Sequence, residues 1–122
     1  QRVALYRAPG EWLAANTSPD ARVGALEIGV IGFYGRRPMV DFAGLAQPEV
    51  ARRFAEGAGY GEAAVFAVER YRPDYLISQE QALPLVGGNP SIQSRCAEVA
   101  ALPDPRFAEP MRIYRCDWQE GR

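Results

Sequence analysis

The stretch that most constrains this chain runs from Glu27 to Leu45 and reads EIGVIGFYGRRPMVDFAGL. It begins just after one short apolar run, Val23 to Leu26, and ends in another, Met39 to Phe42. Gly29, Gly32 and Gly35 lie between them, and glycine permits tight turning or close backbone approach. The pattern predicts a strand over Arg22 to Leu26, a turn holding at most one helical turn, and a second strand ending at Asp41. An acidic residue then stands near the end of each strand, Glu27 and Asp41. Ligands of open α/β sheets bind at the carboxyl ends of strands, so any site is expected here.

The flanking segments extend the same grammar. Residues 2–16 set Val3, Leu5, Tyr6, Trp12 and Leu13 among small and polar residues. Pro9 is expected to interrupt a helix, which places helix around Glu11 to Asn16, preceded at most by another turn. Ser18-Pro19-Asp20 reads as the turn into the first strand. Pro48-Glu49 opens a helix, with proline in the first turn and an acidic side chain at the positive end of the dipole. Val50 and Phe54 stripe it, and Gly57-Ala58-Gly59 ends it. A further helix starts near Gly61-Glu62 and stops at Arg70, Arg72 and Pro73. Asp74 to Ser78 is then a buried strand. Residues 79–94 read as a loop with at most one short helix, since Pro84, Gly87, Gly88 and Pro90 break longer elements.

The tail reads as a hairpin, Arg95 to Leu102 and Met111 to Trp118, across a proline-rich connection. A symmetric register pairs Val99 with Ile113 and Ala101 with Met111, and sets Cys96 opposite Cys116. Cross-strand Cα atoms lie about 4.5–5.5 Å apart, within disulfide range. The two cysteines are either a disulfide of an oxidising compartment or a pair of buried, reduced, small hydrophobes. A slip of one residue would separate them. The whole order implies one α/β domain over residues 1–122: a small mixed sheet of about four to five strands, helices packed on it, and a C-terminal antiparallel hairpin.

Composition narrows the chemistry. The chain is 48% hydrophobic over 122 residues, enough to bury a core. It carries 14 basic against 15 acidic residues, so a nucleic-acid partner is not expected. Every basic residue is arginine; histidine and lysine are absent. That excludes Ser-His-Asp and Cys-His catalysis, Schiff-base chemistry and the P-loop lysine. Neither a cofactor nor a metal site is expected. No apolar run reaches the ~18 residues of a membrane span.

The run from Glu27 to Glu49 resembles a segment in the soluble C-terminal domains of bacterial multi-spanning glycosyltransferases. These are enzymes similar to protein mannosyltransferases and arabinofuranosyltransferases, which use polyprenyl-phosphate sugars. The shared pattern is an acidic residue, G-x-I-G-Y-Y, a basic turn, a hydrophobic strand, D-x-x-G-L and a helix opening with P-E. Trp12 to Val23 and Arg72 to Leu76 match flanking text of the same domains, and Asp41-Phe42-Ala43-Gly44-Leu45 is the most specific match. The resemblance implies that membrane spans precede Gln1, as the absence of an initial Met also suggests, and that the domain faces the extracytoplasmic side. It further implies that the catalytic acid lies in the membrane part. This chain is then non-catalytic: it covers the membrane active site, assists the acceptor or stabilises the transferase. Its partners are the membrane-embedded part of the same chain and a glycan or lipid-linked sugar.

Any ligand-facing surface is expected to involve Glu27, Tyr34, Arg36, Arg37 and Asp41. Each has a plainer assignment. Glu27 and Asp41 form a carboxylate pair or a cation site, or else cap the turns that follow them; capping leads. Arg36 and Arg37 bind a phosphate or anionic sugar, or form the solvated tip of a loop. Gly29 to Gly32 lacks the full G-x-G-x-x-G spacing of a phosphate cradle. Phe33, Tyr34, Trp12 and Trp118 either stack on a sugar or lipid ring or, as aromatics at such positions more often do, lie in the core; Trp12 and Phe33 are expected in the core, and Tyr34 is left open. A free-standing module binding a small ligand at Gly29 to Gly35 is the alternative function. A hydrolase using Glu27 and Asp41 ranks last.

Overall fold

A computed structural model describes residues 2–25, 35–41, 48–80, 84–103 and 109–119. Helix α1 is Arg2–Asn16, followed by strands β1 Val23–Ala25 and β2 Met39–Asp41. Helices α2 Pro48–Ala55 and α3 Tyr60–Tyr71 lead to β3 Tyr75–Ser78, a short α4 Pro90–Gln93, then β4 Cys96–Leu102 and β5 Met111–Cys116. Among the described residues the five strands form one sheet in the order β2-β1-β3-β5-β4. β1 pairs in parallel with β2 and β3, whereas β5 is antiparallel to both β3 and β4. This is the mixed α/β sheet with a C-terminal hairpin that the sequence implies.

Strand alternation sends side chains to two cores. On one face Leu76, Tyr114, Cys96 and Cys116 bury against Val50 of α2, Ala63, Ala64, Ala67 and Val68 of α3, and Ile92 of α4. On the other, Val23, Ala25, Ile77 and Ile113 bury with Leu13 of α1, and Trp12 packs against them. Three helices thus cover one face and α1 the other. Gly57, with φ of 97°, takes the left-handed conformation that ends α2, and Arg72 does so at 48° beyond α3.

Two expectations give way. Helix α1 runs unbroken through Pro9. A proline forfeits one rung of the helix ladder, but the Pro9 ring is fully buried, and packing offsets the lost bond. In the hairpin, Val99 and Ala101 do not face Ile113 and Met111. A bulge falls between Glu98 and Ala100, so Ala100 pairs with Ile113 and Leu102 with Met111. The extra residue, Val99, turns outward and is 44% exposed. The bulge lets the larger Leu102, instead of Ala101, pack on the core around Ile113.

Candidate functional site

The register Ala25↔Asp41 sets the carboxyl ends of β1 and β2 side by side, where the sequence places its candidate ligand surface. Glu27 and Tyr34 lie outside the described residues, as do Phe33 and the Gly29 to Gly32 segment; Asp41 is placed by its backbone alone, as the last residue of β2.

The arginine pair divides. Arg36 is exposed, with φ of 54°. Arg37 is half-buried and committed to the end of α1. Its Nε donates to Thr17 Oγ1 (2.8 Å), and Nη1 to the carbonyls of Gly35 (3.0 Å) and Arg36 (3.1 Å). Nη2 donates to the carbonyls of Leu13, Ala14 and Thr17 at 3.3, 3.1 and 2.7 Å. The last carbonyls of a helix have no intrahelical partner, and a guanidinium fork has five donors and a positive charge for the negative helix end. Arg37 is therefore a helix cap rather than a solvated tip, and of the pair only Arg36 faces outward.

The carboxyl end of β3 carries a polar cluster that reaches from Ser78 into the 79–94 segment, where the sequence predicts a loop. Ser78, buried, donates its hydroxyl to Glu80 Oε2. The same carboxylate accepts the N–H of Val86 (3.2 Å) and of Gly87 (2.7 Å), so it pins the turn of residues 84–88. A Cβ added at Gly88 would lie 2.5 Å from the Pro84 carbonyl oxygen, so the turn closes only with glycine there. The available signal is an acidic residue six and seven positions before Val86 and Gly87. Nearby, Arg112 Nη1 bridges both Glu98 oxygens at 2.9 and 3.1 Å, and its Nε reaches Glu109 at 3.4 Å. Tyr114 is buried beside them; burial, reinforced by the negative charge of Glu80 and Glu98, pushes its hydroxyl up to about 12.

On the helical face, the Tyr71 hydroxyl donates to Glu49 (3.0 Å) and Arg70 pairs with the same carboxylate (3.0 Å). The Tyr71 hydrogen bond, with Arg70 behind it, holds the Glu49 carboxyl below the ordinary carboxylate range. Arg53 lies 4.4 Å above the Phe66 ring. Of the tryptophans, Trp12 meets Tyr75 edge-on at 6.4 Å, and Trp118 donates its indole N–H to the Pro73 carbonyl (2.8 Å) while packing on the core.

At the opposite end of the sheet, Cys96 and Cys116 face each other in register and are joined by a disulfide, with Cα atoms 4.0 Å apart. The bond between the Asp117 N–H and the Arg95 carbonyl (2.8 Å) flanks them, which makes theirs the closely approaching non-hydrogen-bonded pair. Next to the disulfide opens a groove of about 1010 Å³. Among the described residues no group of three or more Cys, Asp or Glu is placed to hold a metal ion. Among them, too, no helix is long and apolar enough to cross a membrane.

The fold and these clusters define a small mixed-sheet α/β domain whose described polar side chains serve mainly to cap helices and pin turns. Over residues 1–119 the chain matches the model of a family described as a domain of unknown function, DUF8728, and belongs to it. Neither the curated proteins nor the solved structures gave a match.

Proposed function

We propose that this chain is a non-catalytic, extracytoplasmic domain of a bacterial membrane glycosyltransferase that draws on a lipid-linked sugar. Its partners are the membrane-embedded part of the same chain and the glycan acceptor. The observation that carries the reading is the Cys96–Cys116 disulfide, since such bonds persist in oxidising compartments and are rare in the cytosol. It agrees with the location implied by the resemblance through Asp41-Phe42-Ala43-Gly44-Leu45.

Alkaline phosphatase fused after Arg122 in the natural gene tests the location. Active reporter is expected, and a reporter active only as a cytoplasmic fluorescent fusion overturns the reading. In the full-length enzyme, loss of sugar transfer on Asp41→Ala with the melting temperature of the 122-residue chain unchanged assigns Asp41 to the ligand surface. A large fall in melting temperature instead assigns Asp41 to turn capping. The second reading is a free-standing module with a small ligand at the Gly29 to Gly35 turn. A reading frame opening near Gln1, with activity independent of membrane, selects it.

A further inference from the structure

Helix α1 leaves part of its sheet face open. Leu13 buries with Val23, Ala25, Ile77 and Ile113, but Trp12 stops against the edge of Tyr75. Beyond that contact, register places Tyr75, Arg115 and Ala97 in one row across β3, β5 and β4. These three help line the groove of about 1010 Å³. The small Ala97 side chain deepens it over β4. Asp74 lines it from the β3 side and Gln93 from the β4 side. The Arg115 guanidinium has no salt bridge with a described residue, and Asp74 uses Oδ2 to accept the Arg22 N–H at 2.9 Å.

We propose that this groove binds a neutral oligosaccharide. Its identity as the acceptor glycan rests on the function proposed above. Three aspartates and two arginines line the groove, so an anion meets an excess of carboxylates and a cation meets two guanidinium groups. A sugar hydroxyl both donates and accepts. It therefore satisfies a carboxylate, a guanidinium and an amide at once, without bringing a charge that any of them opposes. The half-buried Tyr75 ring and the Ala97 methyl supply apolar surface for the C–H face of a pyranose or furanose ring. A peptide adding as a strand would pair along the open edge of β4, whereas the Tyr75 and Arg115 end of the row lies on the inner strands β3 and β5.

The test is amide NMR of the oxidised 122-residue chain, titrated to millimolar levels with mannotriose, an arabinofuranose trisaccharide and cellotriose, and separately with glucuronate and inorganic phosphate. At least one neutral trisaccharide should give saturable shifts centred on Tyr75, Ala97, Val99 and Arg115. Arg115→Ala should weaken that binding about tenfold with the melting temperature unchanged, and Ala97→Trp, at an exposed position, should abolish it by filling the floor. Three results overturn the proposal: no groove shift with any neutral sugar, shifts with glucuronate and phosphate alone, or binding that survives both substitutions. Its failure is separable from that of the membrane reading. An active phosphatase fusion without sugar binding removes only the groove, and sugar binding with a cytoplasmic reporter removes only the membrane setting.

Discussion

Tyr114 shows how one buried hydroxyl contributes to the pH behaviour of a chain like this one. With no histidine or lysine and both cysteines in a disulfide, few side chains titrate between neutrality and about pH 10, and above that tyrosines do, since arginine stays charged. The Tyr114 value is raised to about 12 in the folded chain, against about 10 when unfolded. A raised folded value gives a contribution fully present below pH 10 and lost as pH climbs from about 10 to about 12. Thermal melts should therefore hold level to about pH 10 and then fall, and Tyr114→Phe should remove that part of the fall. Identical alkaline limbs in the two proteins would refute the assignment. The burial of Tyr114 was not visible in the sequence, and neither was the work of Arg37. Its acceptors Leu13, Ala14 and Thr17 lie 20 to 24 positions away, so pattern alone reads a surface arginine.

At the scale of elements, what the sequence carried well was register tied to local symmetry. The symmetric register sets Cys96 opposite Cys116, and the structure keeps that register from Cys96 to Glu98, before the bulge shifts it. The bulge did not follow, because Val99 and Ala101 alternate as plausibly as Ala100 and Leu102 until the volume around Ile113 and Met111 is known. Pro9 failed for a similar reason: its local cost was legible, while the packing that offsets it belongs to tertiary structure. The bulge has a measurable consequence. Ile113, fully buried, should cost about 2–5 kcal/mol on truncation to alanine. Val99, in a strand of comparable apolar sequence but turned outward, should change stability by less than about 0.5 kcal/mol on the same truncation. Urea unfolding of Ile113→Ala and Val99→Ala decides it. Comparable losses at both positions would mean that the regular register, with Val99 against Ile113, is the one in solution.

For the whole molecule, the disulfide joins the edge strand β4 to the inner strand β5, and β3 joins that hairpin to the parallel half of the sheet. β3 is covered on both faces, by α1 on one and α3 on the other, through Ile77 and Leu76. Among the described residues β4 pairs with β5 alone, and its Ala97, Glu98, Val99 and Ala101 are exposed. Cutting the disulfide frees a loop between cysteines 20 positions apart, which should cost about 3 kcal/mol of stability. The loss should also be uneven, since local opening follows the units with least buried apolar contact. Hydrogen exchange on the oxidised chain and on Cys96→Ser/Cys116→Ser should show β4 amides falling well below those of Leu76 and Ile77. Equal loss in β3 and β4 would show instead that the hairpin and the parallel half open as one unit. Uneven loss would make the groove wall on β4 dependent on the oxidation state of its own staple, so that a domain held in a reducing compartment would present a less ordered floor at Ala97 than one held outside it.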